Sequence, residues 1–373
     1  MTWWRSTLAD LMGDMVVYRN LEPMDERIPG LLTSWKSVGL THYYVPRKAT
    51  PEYAAALLYF LRAAQAARGI AAPIERLLFI GDTLLNDGTV AKNLGKCLPM
   101  RGFIGADRLA EEPHVEIDGP LMVANRWTAL GDFVAWSREA DMVADERTAL
   151  LIDLDKTSLG ARGRNDRVID GARVRAVQRT MQSALRDDFD GRAFRTLYDR
   201  LNQPAYHYFT ADNQDYLAYI CLMVSGEVCP AKEFWAALTS GALCSIEDFV
   251  ARCERRRARM SPGLLQVQDE VRRGIAAQDP TPFKEFRRGE YLETVACMDV
   301  LDDDATAEAI LAEEIVITAE VASVARHMAA RGTLVFGISD KPDEASVPLP
   351  EDAVRGYRPI HRTVMKVYGE EVL

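Results

Sequence analysis

Two aspartates separated by one residue directly follow a short apolar run in the middle of the chain. The run covers 148–152 and is followed by Asp153 and Asp155, with Thr157 two positions further on. While the chain stays extended, side chains two residues apart lie on the same side, so both carboxylates converge on one small volume. Such close like charges are unfavourable unless a cation or a shared proton relieves them, and Mg²⁺ suits a site of one or two carboxylates. The pattern therefore predicts a magnesium site, with an acidic turn that begins a helix as the alternative.

A second acidic segment follows the apolar run at 77–80. Gly81 allows the chain to turn sharply, which places Asp82 at the end of the predicted strand and Asp87 about one turn into the next helix. Either aspartate taken alone is an ordinary helix cap. Because two strand ends in one chain carry acidic residues, we interpret Asp82 and Asp87 as ligands of the same metal ion.

A hydroxyl group and a lysine follow two further predicted strands. The run 333–338 ends at Ser339, whose hydroxyl can donate a hydrogen bond to a phosphate oxygen. The run 42–45 is followed by Lys48, whose charge can neutralise a carboxylate nucleophile and a phosphoryl group. Lys341, two residues after Ser339, is the alternative lysine for this role.

Strand-like and helical segments alternate over residues 30–145, which predicts crossover units and a parallel sheet. From about 165 to 331 helical periodicity dominates, and one helical pattern covers 307–331. We therefore predict an α/β fold with a Rossmann-like parallel sheet and flanking helices, interrupted by an inserted all-helical domain. The expected bounds are 1–160 and 326–373 for the discontinuous α/β core and 161–325 for the helical domain. In open parallel sheets, ligands bind at the carboxyl ends of the strands, where the four polar segments are expected to lie.

Taken together, these segments resemble the motifs of the haloacid dehalogenase (HAD) superfamily of phosphatases. That family combines an Asp-x-Asp-x-Thr nucleophile loop, a Ser or Thr, a Lys, and an acidic Gly-Asp-x-x-x-(Asn)-Asp loop. The positions that match here are Asp153, Asp155 and Thr157, then Ser339, then Lys48, and finally Gly81, Asp82, Asn86 and Asp87. The resemblance implies a HAD-like core and identifies 161–325 as a large helical cap.

The order of the motifs differs from the usual order of the family, in which the nucleophile strand comes first. Here Lys48 and Asp82 precede Asp153, so the sequence resembles a circularly permuted member whose termini open between the serine and lysine motifs. Permutation is tolerated where the original termini lie close together at the surface. The four motifs keep their cyclic order, and the helical segment follows the nucleophile loop as a cap would.

The resemblance also implies a role for each motif residue. Asp153 is the nucleophile that forms an aspartyl-phosphate, and Asp155 is the general acid that later activates water as a base. At the implied Mg²⁺ site, Asp153 and Asp82 are direct ligands and the backbone carbonyl of Asp155 faces the metal. Asp87 helps to orient a ligand or a metal-bound water. The implied phosphate-binding residues are Thr157, Ser339 and Lys48.

Two arginines follow the nucleophile loop, where the chain enters the helical segment. Arg162 or Arg164 can reach an anionic substrate, and a solvated hinge is the alternative. The function expected from the resemblance is that of an Mg²⁺-dependent phosphohydrolase acting on a small phosphorylated metabolite. A phosphotransferase or mutase is a second interpretation, and a non-catalytic protein that binds phosphorylated ligands or partners is a third. The sequence indicates neither the substrate nor an oligomeric partner.

Composition narrows the choice of partners and location. The chain carries 45 basic and 55 acidic residues, a net charge of −10, without a segregated basic patch. Such a surface repels nucleic-acid backbones, so no nucleic-acid partner is expected. No stretch approaches the ~20 apolar residues that span a bilayer, and the N-terminus lacks the apolar core of a signal peptide. We therefore expect a cytoplasmic protein without a membrane partner.

Overall fold

The computed structural model of the chain describes residues 3–185, 189–211 and 213–373. The chain divides into two compact units, which we call unit 1 (Met1–Asp170 with Thr294–Leu373) and unit 2 (Gly171–Glu293). The expected bounds of the helical domain, 161–325, were wider than those of unit 2. Residues 294–325 group with unit 1 because part of this segment pairs with the loop that follows Asp153, as described below.

The described residues of unit 1 form ten strands in two sheets. In chain order these are β1 (Trp4–Ser6), β2 (Val16–Val17), β3 (Arg76–Gly81), β4 (Met100–Gly105), β5 (Val115–Asp118), β6 (Leu121–Ala124), β7 (Thr148–Asp153), β8 (Ile317–Thr318), β9 (Leu334–Ile338) and β10 (Met365–Tyr368). The larger sheet has seven strands in the order β2-β9-β7-β3-β4-β6-β5, and the smaller has the order β1-β10-β8. All neighbours in the larger sheet are parallel except β5 and β6.

The predicted α/β class with a mostly parallel sheet is confirmed. Strand β7 and strand β9 are buried along their whole length, and β3 is buried from its second residue. Their continuous apolar runs are what a strand covered on both faces requires. Since β9, β7 and β3 are adjacent and parallel, their carboxyl ends lie side by side at one edge of the sheet.

Helices make up most of the remaining regular structure. They are α1 (Ala9–Met12), α2 (Leu31–Val38), α3 (Pro51–Ala67), α4 (Thr89–Leu94), α5 (Leu130–Glu139), α6 (Arg167–Leu185), α7 (Gly191–Leu201), α8 (His207–Thr210), α9 (Gln214–Ser225), α10 (Ala231–Thr239), α11 (Ile246–Glu254), α12 (Pro262–Ala276), α13 (Lys284–Val295), α14 (Ala307–Glu313), α15 (Ala319–Ala329) and α16 (Pro350–Val354). Within the described ranges, no helix has both the length and the apolar character needed to cross a membrane.

Helix α3 begins where its sequence signals predict. The Thr50 side chain accepts a hydrogen bond from the backbone N–H of Tyr53, and Pro51 occupies the first helical position. The helix buries Leu57, Phe60 and other apolar residues in the same core cluster as β3 and β7. The start of α3 therefore fixes the position of the preceding turn, which carries Lys48.

Unit 2 is helical in every part that the structure describes, with its own apolar core. One buried ionic cluster lies within it. Arg287 contacts Asp215 at 2.5 Å and Glu290 at 2.6 Å, and all three side chains are almost fully buried. Asp215 belongs to α9, and Arg287 and Glu290 belong to α13. Since buried charges need partners, this ion pair links the two helices.

Two sequence predictions of local structure were wrong. Residues 42–45 are not a strand: they form an irregular segment in which His42, Tyr43 and Tyr44 are exposed. The strand next to β9 is instead β2, whose two residues are too few to produce a periodic pattern. The helical pattern at 307–331 is interrupted between α14 and α15, where the β-branched sequence at 315–318 forms β8.

The Asp343 carboxyl group, which follows β9 in the chain, allows a test of how burial affects stability. Its carboxylate accepts a hydrogen bond from the backbone N–H of Asn20 at 2.9 Å, and burial raises the pKa of this carboxyl to about 7. Since that lies above the ordinary value near 3.9, the folded state loses stability as the pH rises from about 4 to about 7.

We expect Asp343→Asn to be more stable than the wild type by about 1–3 kcal/mol at pH 8 and close to it at pH 4. The amide keeps an oxygen acceptor for Asn20 but cannot ionise. Urea unfolding of both proteins at both pH values measures the difference. A difference that does not change with pH would contradict the raised pKa.

Candidate functional site

Asp153 ends β7, an interior strand of the larger sheet, and is buried at the carboxyl edge of that sheet. Its two oxygens have different partners: Lys48 Nζ donates to Oδ1 at 2.5 Å, and the Thr157 hydroxyl donates to Oδ2 at 3.0 Å. Burial raises the pKa of Asp153 well above its ordinary range, while the charge of Lys48 opposes that effect. The carboxylate is thus held in a fixed orientation by one charged and one neutral donor.

Asp87 lies in a π-helical turn, Leu84–Gly88, that follows β3. Its Oδ2 accepts hydrogen bonds from the backbone N–H groups of Asp82 and Thr83 and from the Thr83 hydroxyl, at 2.9–3.1 Å. Its Oδ1 lies 2.6 Å from Lys48 Nζ. Although burial opposes ionisation, the Lys48 charge and these hydrogen bonds hold the pKa of Asp87 at about 2.

Asp82 completes a cluster of three carboxylates. Arg162 Nε donates to its Oδ2 at 2.5 Å. Burial, reinforced by the Asp87 charge, raises the pKa of Asp82 to about 7. One carboxylate oxygen each from Asp82, Asp87 and Asp153 lies within 4.8 Å of the others. The structure therefore brings together three of the four aspartates that the sequence predicted at the metal site.

The donor set of this cluster fits a hard divalent cation. Three carboxylates face two cationic groups, Lys48 and Arg162, so the cluster keeps an excess of negative charge when all are ionised. The buried Oδ1 of Asp87 has the ammonium group of Lys48 as its ionic partner, at 2.6 Å. Oxygen ligands of this kind are those that Mg²⁺ prefers.

Lys48 is the lysine for which the structure shows contacts with the carboxylates of Asp153 and Asp87. Lys341 Nζ instead donates to the Thr294 hydroxyl at 3.3 Å, and its backbone N–H donates to the Ser339 hydroxyl oxygen. Ser339 is buried one residue beyond Ile338, which pairs with Asp153 across β9 and β7. Ser339 therefore lies at the same sheet edge, although its hydroxyl oxygen faces its own turn.

Asp155 lies in the tight turn after β7 and is half-buried. Among the described residues, none donates a hydrogen bond to its carboxylate. The next residue, Lys156, has a φ of +63°, and its carbonyl accepts a hydrogen bond from the backbone N–H of Arg162 at 2.7 Å. In the part of the chain that the structure describes, the cluster of carboxylates contains Asp82, Asp87 and Asp153 but not Asp155, so the expected convergence of Asp155 with Asp153 is not seen in this group.

The two arginines after the nucleophile loop have different surroundings. Arg162 reaches the carboxylate cluster through Asp82, as described above. Arg164 is instead held by Asp107 and Glu320, each at 2.9 Å, and its side chain is only 12% exposed. The structure thus places Arg162 at the cluster and Arg164 in a separate ionic network that anchors the loop.

Two residues near the cluster were missed by the sequence analysis. Thr83 supplies two of the three hydrogen bonds to Asp87. Tyr53, in the first turn of α3, has a buried hydroxyl without a hydrogen-bond partner in the described part of the chain, and burial raises its pKa. A polar residue in a strand-end turn is a signal that could have identified Thr83, whereas nothing in the sequence distinguishes Tyr53 from a core aromatic residue.

Comparisons with models of protein families, with curated proteins and with solved structures found no match to this chain. The interpretation of the site therefore depends on its geometry and on the pattern of its motifs.

Metal binding can be tested without a substrate. A ligand that binds only the folded state stabilises it by about 2.7 kcal/mol when its concentration is 100 times Kd. We expect MgCl₂ to raise the Tm of the wild type, and Asp87→Asn to remove most of that shift. Asp118→Asn is the control, since Asp118 lies on the edge strand β5, is exposed, and pairs with Lys92 of α4. A wild-type Tm that does not respond to MgCl₂ would contradict the metal site.

A substitution at Gly163 tests the close approach between Asp107 and the loop that follows Asp153. Its φ is +78°, and a Cβ at this position would lie 1.9 Å from the Asp107 carbonyl oxygen. We expect Gly163→Ala to lower the free energy of unfolding by about 2 kcal/mol or more, because backbone strain and a clash add. Gly119→Ala is the control, since Gly119 also has a positive φ, +58°, but open space around it. Equal losses in urea unfolding would exclude the clash.

Proposed function

We propose that this protein is an Mg²⁺-dependent phosphohydrolase of the HAD type that removes phosphate from a small phosphorylated metabolite. The observation that carries this proposal is the arrangement around Asp153. A buried carboxylate at the end of the interior strand β7 contacts a lysine and lies beside two further carboxylates. A nucleophile, a cation for the phosphoryl charge and a metal-binding donor set are what phosphoryl transfer through an enzyme carboxylate requires.

The topology supports the assignment to a HAD-like core with a helical cap. Ser339, Asp153 and Asp82 follow three adjacent parallel strands, so three of the four motifs meet at one sheet edge. The fourth, Lys48, reaches the same edge from the turn before α3. Unit 2 is inserted after the nucleophile loop, as a cap would be in a permuted chain.

In the proposed reaction, the Asp153 carboxylate attacks phosphorus and forms an aspartyl-phosphate as the bond to the ester oxygen breaks. Asp155 donates a proton to that leaving oxygen. In the second step Asp155 takes a proton from a water molecule, whose oxygen attacks phosphorus and releases inorganic phosphate and the Asp153 carboxylate. The charge of Lys48 stabilises the phosphoryl oxygens in both steps, and the Ser339 hydroxyl can donate to one of them.

Asp82, Asp87 and Asp153 would hold Mg²⁺, together with the backbone carbonyl of Asp155. When bound, the ion supplies positive charge that reduces repulsion between the carboxylates and an incoming phosphate. Thr83 and the backbone N–H groups beside it orient Asp87 for this task. The cytoplasmic location and the choice of a small metabolite as partner stay predictions from the sequence.

The reaction is tested by phosphate release from p-nitrophenyl phosphate with and without MgCl₂. We expect Mg²⁺-dependent turnover in the wild type, a loss of at least about 10³-fold in Asp153→Asn, and a smaller loss in Asp155→Asn. Asp118→Asn, an exposed aspartate on the distant edge strand, is the control and should keep wild-type activity. Equal activity in the wild type and Asp153→Asn would exclude the nucleophile. Binding of phosphate esters without turnover would favour a non-catalytic binding protein.

A further inference from the structure

The loop that follows Asp153 is held by a segment that is distant in the sequence. The backbone N–H of Thr318 donates to the Ser158 carbonyl, and the N–H of Gly160 donates to the Val316 carbonyl, both at 2.9 Å. These bonds form an antiparallel bridge between Leu159 and β8. The nucleophile loop is therefore paired as a short extra strand.

The pairing segment is itself well anchored. Strand β8 pairs on its other side with β10 in the three-stranded sheet. Just before it, Glu314 forms an ion pair with the fully buried Lys366 at 2.8 Å, and the Glu314 carbonyl accepts from the Asn165 side chain. The segment therefore gives the loop a rigid support at residues 158–160 and again at 165.

One side chain in this support points at the loop next to the nucleophile. The Thr318 hydroxyl donates to the Thr157 carbonyl at 2.5 Å, and both residues are buried. Thr157 in turn donates its own hydroxyl to Oδ2 of Asp153. A chain of two hydrogen bonds thus runs from β8 to one oxygen of the carboxylate.

We propose that Thr318 is a positioning residue for the nucleophile, acting through Thr157. The Thr318 hydroxyl fixes the Thr157 backbone, so that the Thr157 hydroxyl retains Oδ2 of Asp153, and Oδ1, which contacts Lys48, is the oxygen that attacks phosphorus. This inference rests on the proposed phosphohydrolase function and adds which oxygen reacts and what orients it. Loss of the Thr318 hydroxyl leaves Asp153 in place but loosens its orientation.

Thr318→Val keeps the shape of the side chain and removes the hydroxyl, while Thr318→Ser keeps the hydroxyl. Thr333→Val is the matched control, because Thr333 is also a buried threonine of unit 1 and its hydroxyl has no hydrogen-bond partner among the described residues. All variants are compared as the full chain, at a temperature at which unfolding curves show them folded.

The first readout is amide hydrogen exchange of the peptide covering 154–165, with the β3 peptide at 76–81 as internal reference. We expect faster exchange of the loop in Thr318→Val alone, with unchanged exchange in β3. This measurement does not require activity, so it decides the positioning role even if the wild type turns over no phosphate ester. Unchanged loop exchange in Thr318→Val would overturn the proposal.

The second readout is kinetic. We expect Thr318→Val to lower kcat by about 10-fold or more with little change in KM, and Thr318→Ser to stay within about threefold of the wild type. Thr333→Val should match the wild type in both constants. A kcat for Thr318→Val equal to that of Thr318→Ser would overturn the role in catalysis. A wild type without turnover would instead count against the proposed function, and the exchange result would stand separately.

Discussion

The buried ammonium of Lys48 lies between the carboxylates of Asp153 and Asp87, and the arrangement of the sheet edge depends on this contact. Removing charges from water costs several kcal/mol for each ion, so a buried carboxylate cluster stays ionised only where cations neutralise it. Lys48 supplies this charge for two of the carboxylates, and Arg162 supplies it for Asp82. The site thus combines a lysine with three carboxylates that could hold a metal ion.

Several elements of unit 1 contact the loop that follows Asp153. On one side, the carbonyl of Ile338 in β9 accepts a hydrogen bond from the backbone N–H of Leu154. Strand β8 pairs with the loop further along, and beyond it Asp107, after β4, approaches Gly163 so closely that no side chain fits there. Because three separate elements contact one loop of about a dozen residues, small shifts in any of them change the orientation of Asp153. Precise orientation of reacting groups is a large part of what an enzyme contributes to a rate.

The polar residues at strand ends could be predicted because they follow long buried runs, which leave a clear signal in the sequence. Asp153 and Asp82 are of this kind, and the structure places both at the expected edge. The sequence placed Lys48 at the carboxyl edge of the sheet because a strand was predicted before it at 42–45. Lys48 does contact Asp153 at that edge, but residues 42–45 do not form a strand. Its position is set instead by the start of α3, where Thr50 caps the helix.

The sequence by itself determined the chemistry that is available: an apolar run followed by aspartates specifies which side chains leave the core at a strand end, since burial and alternation are local properties. Only the tertiary structure decided which cation meets which carboxylate. Lys48 and Asp153 are 105 positions apart, and Thr318 and Thr157 are 161 apart. Such contacts depend on the packing of whole elements, and no local pattern encodes them. The contact of Lys48 with Asp153, and the pairing of β8 with the loop that follows Asp153, are therefore properties of the folded chain.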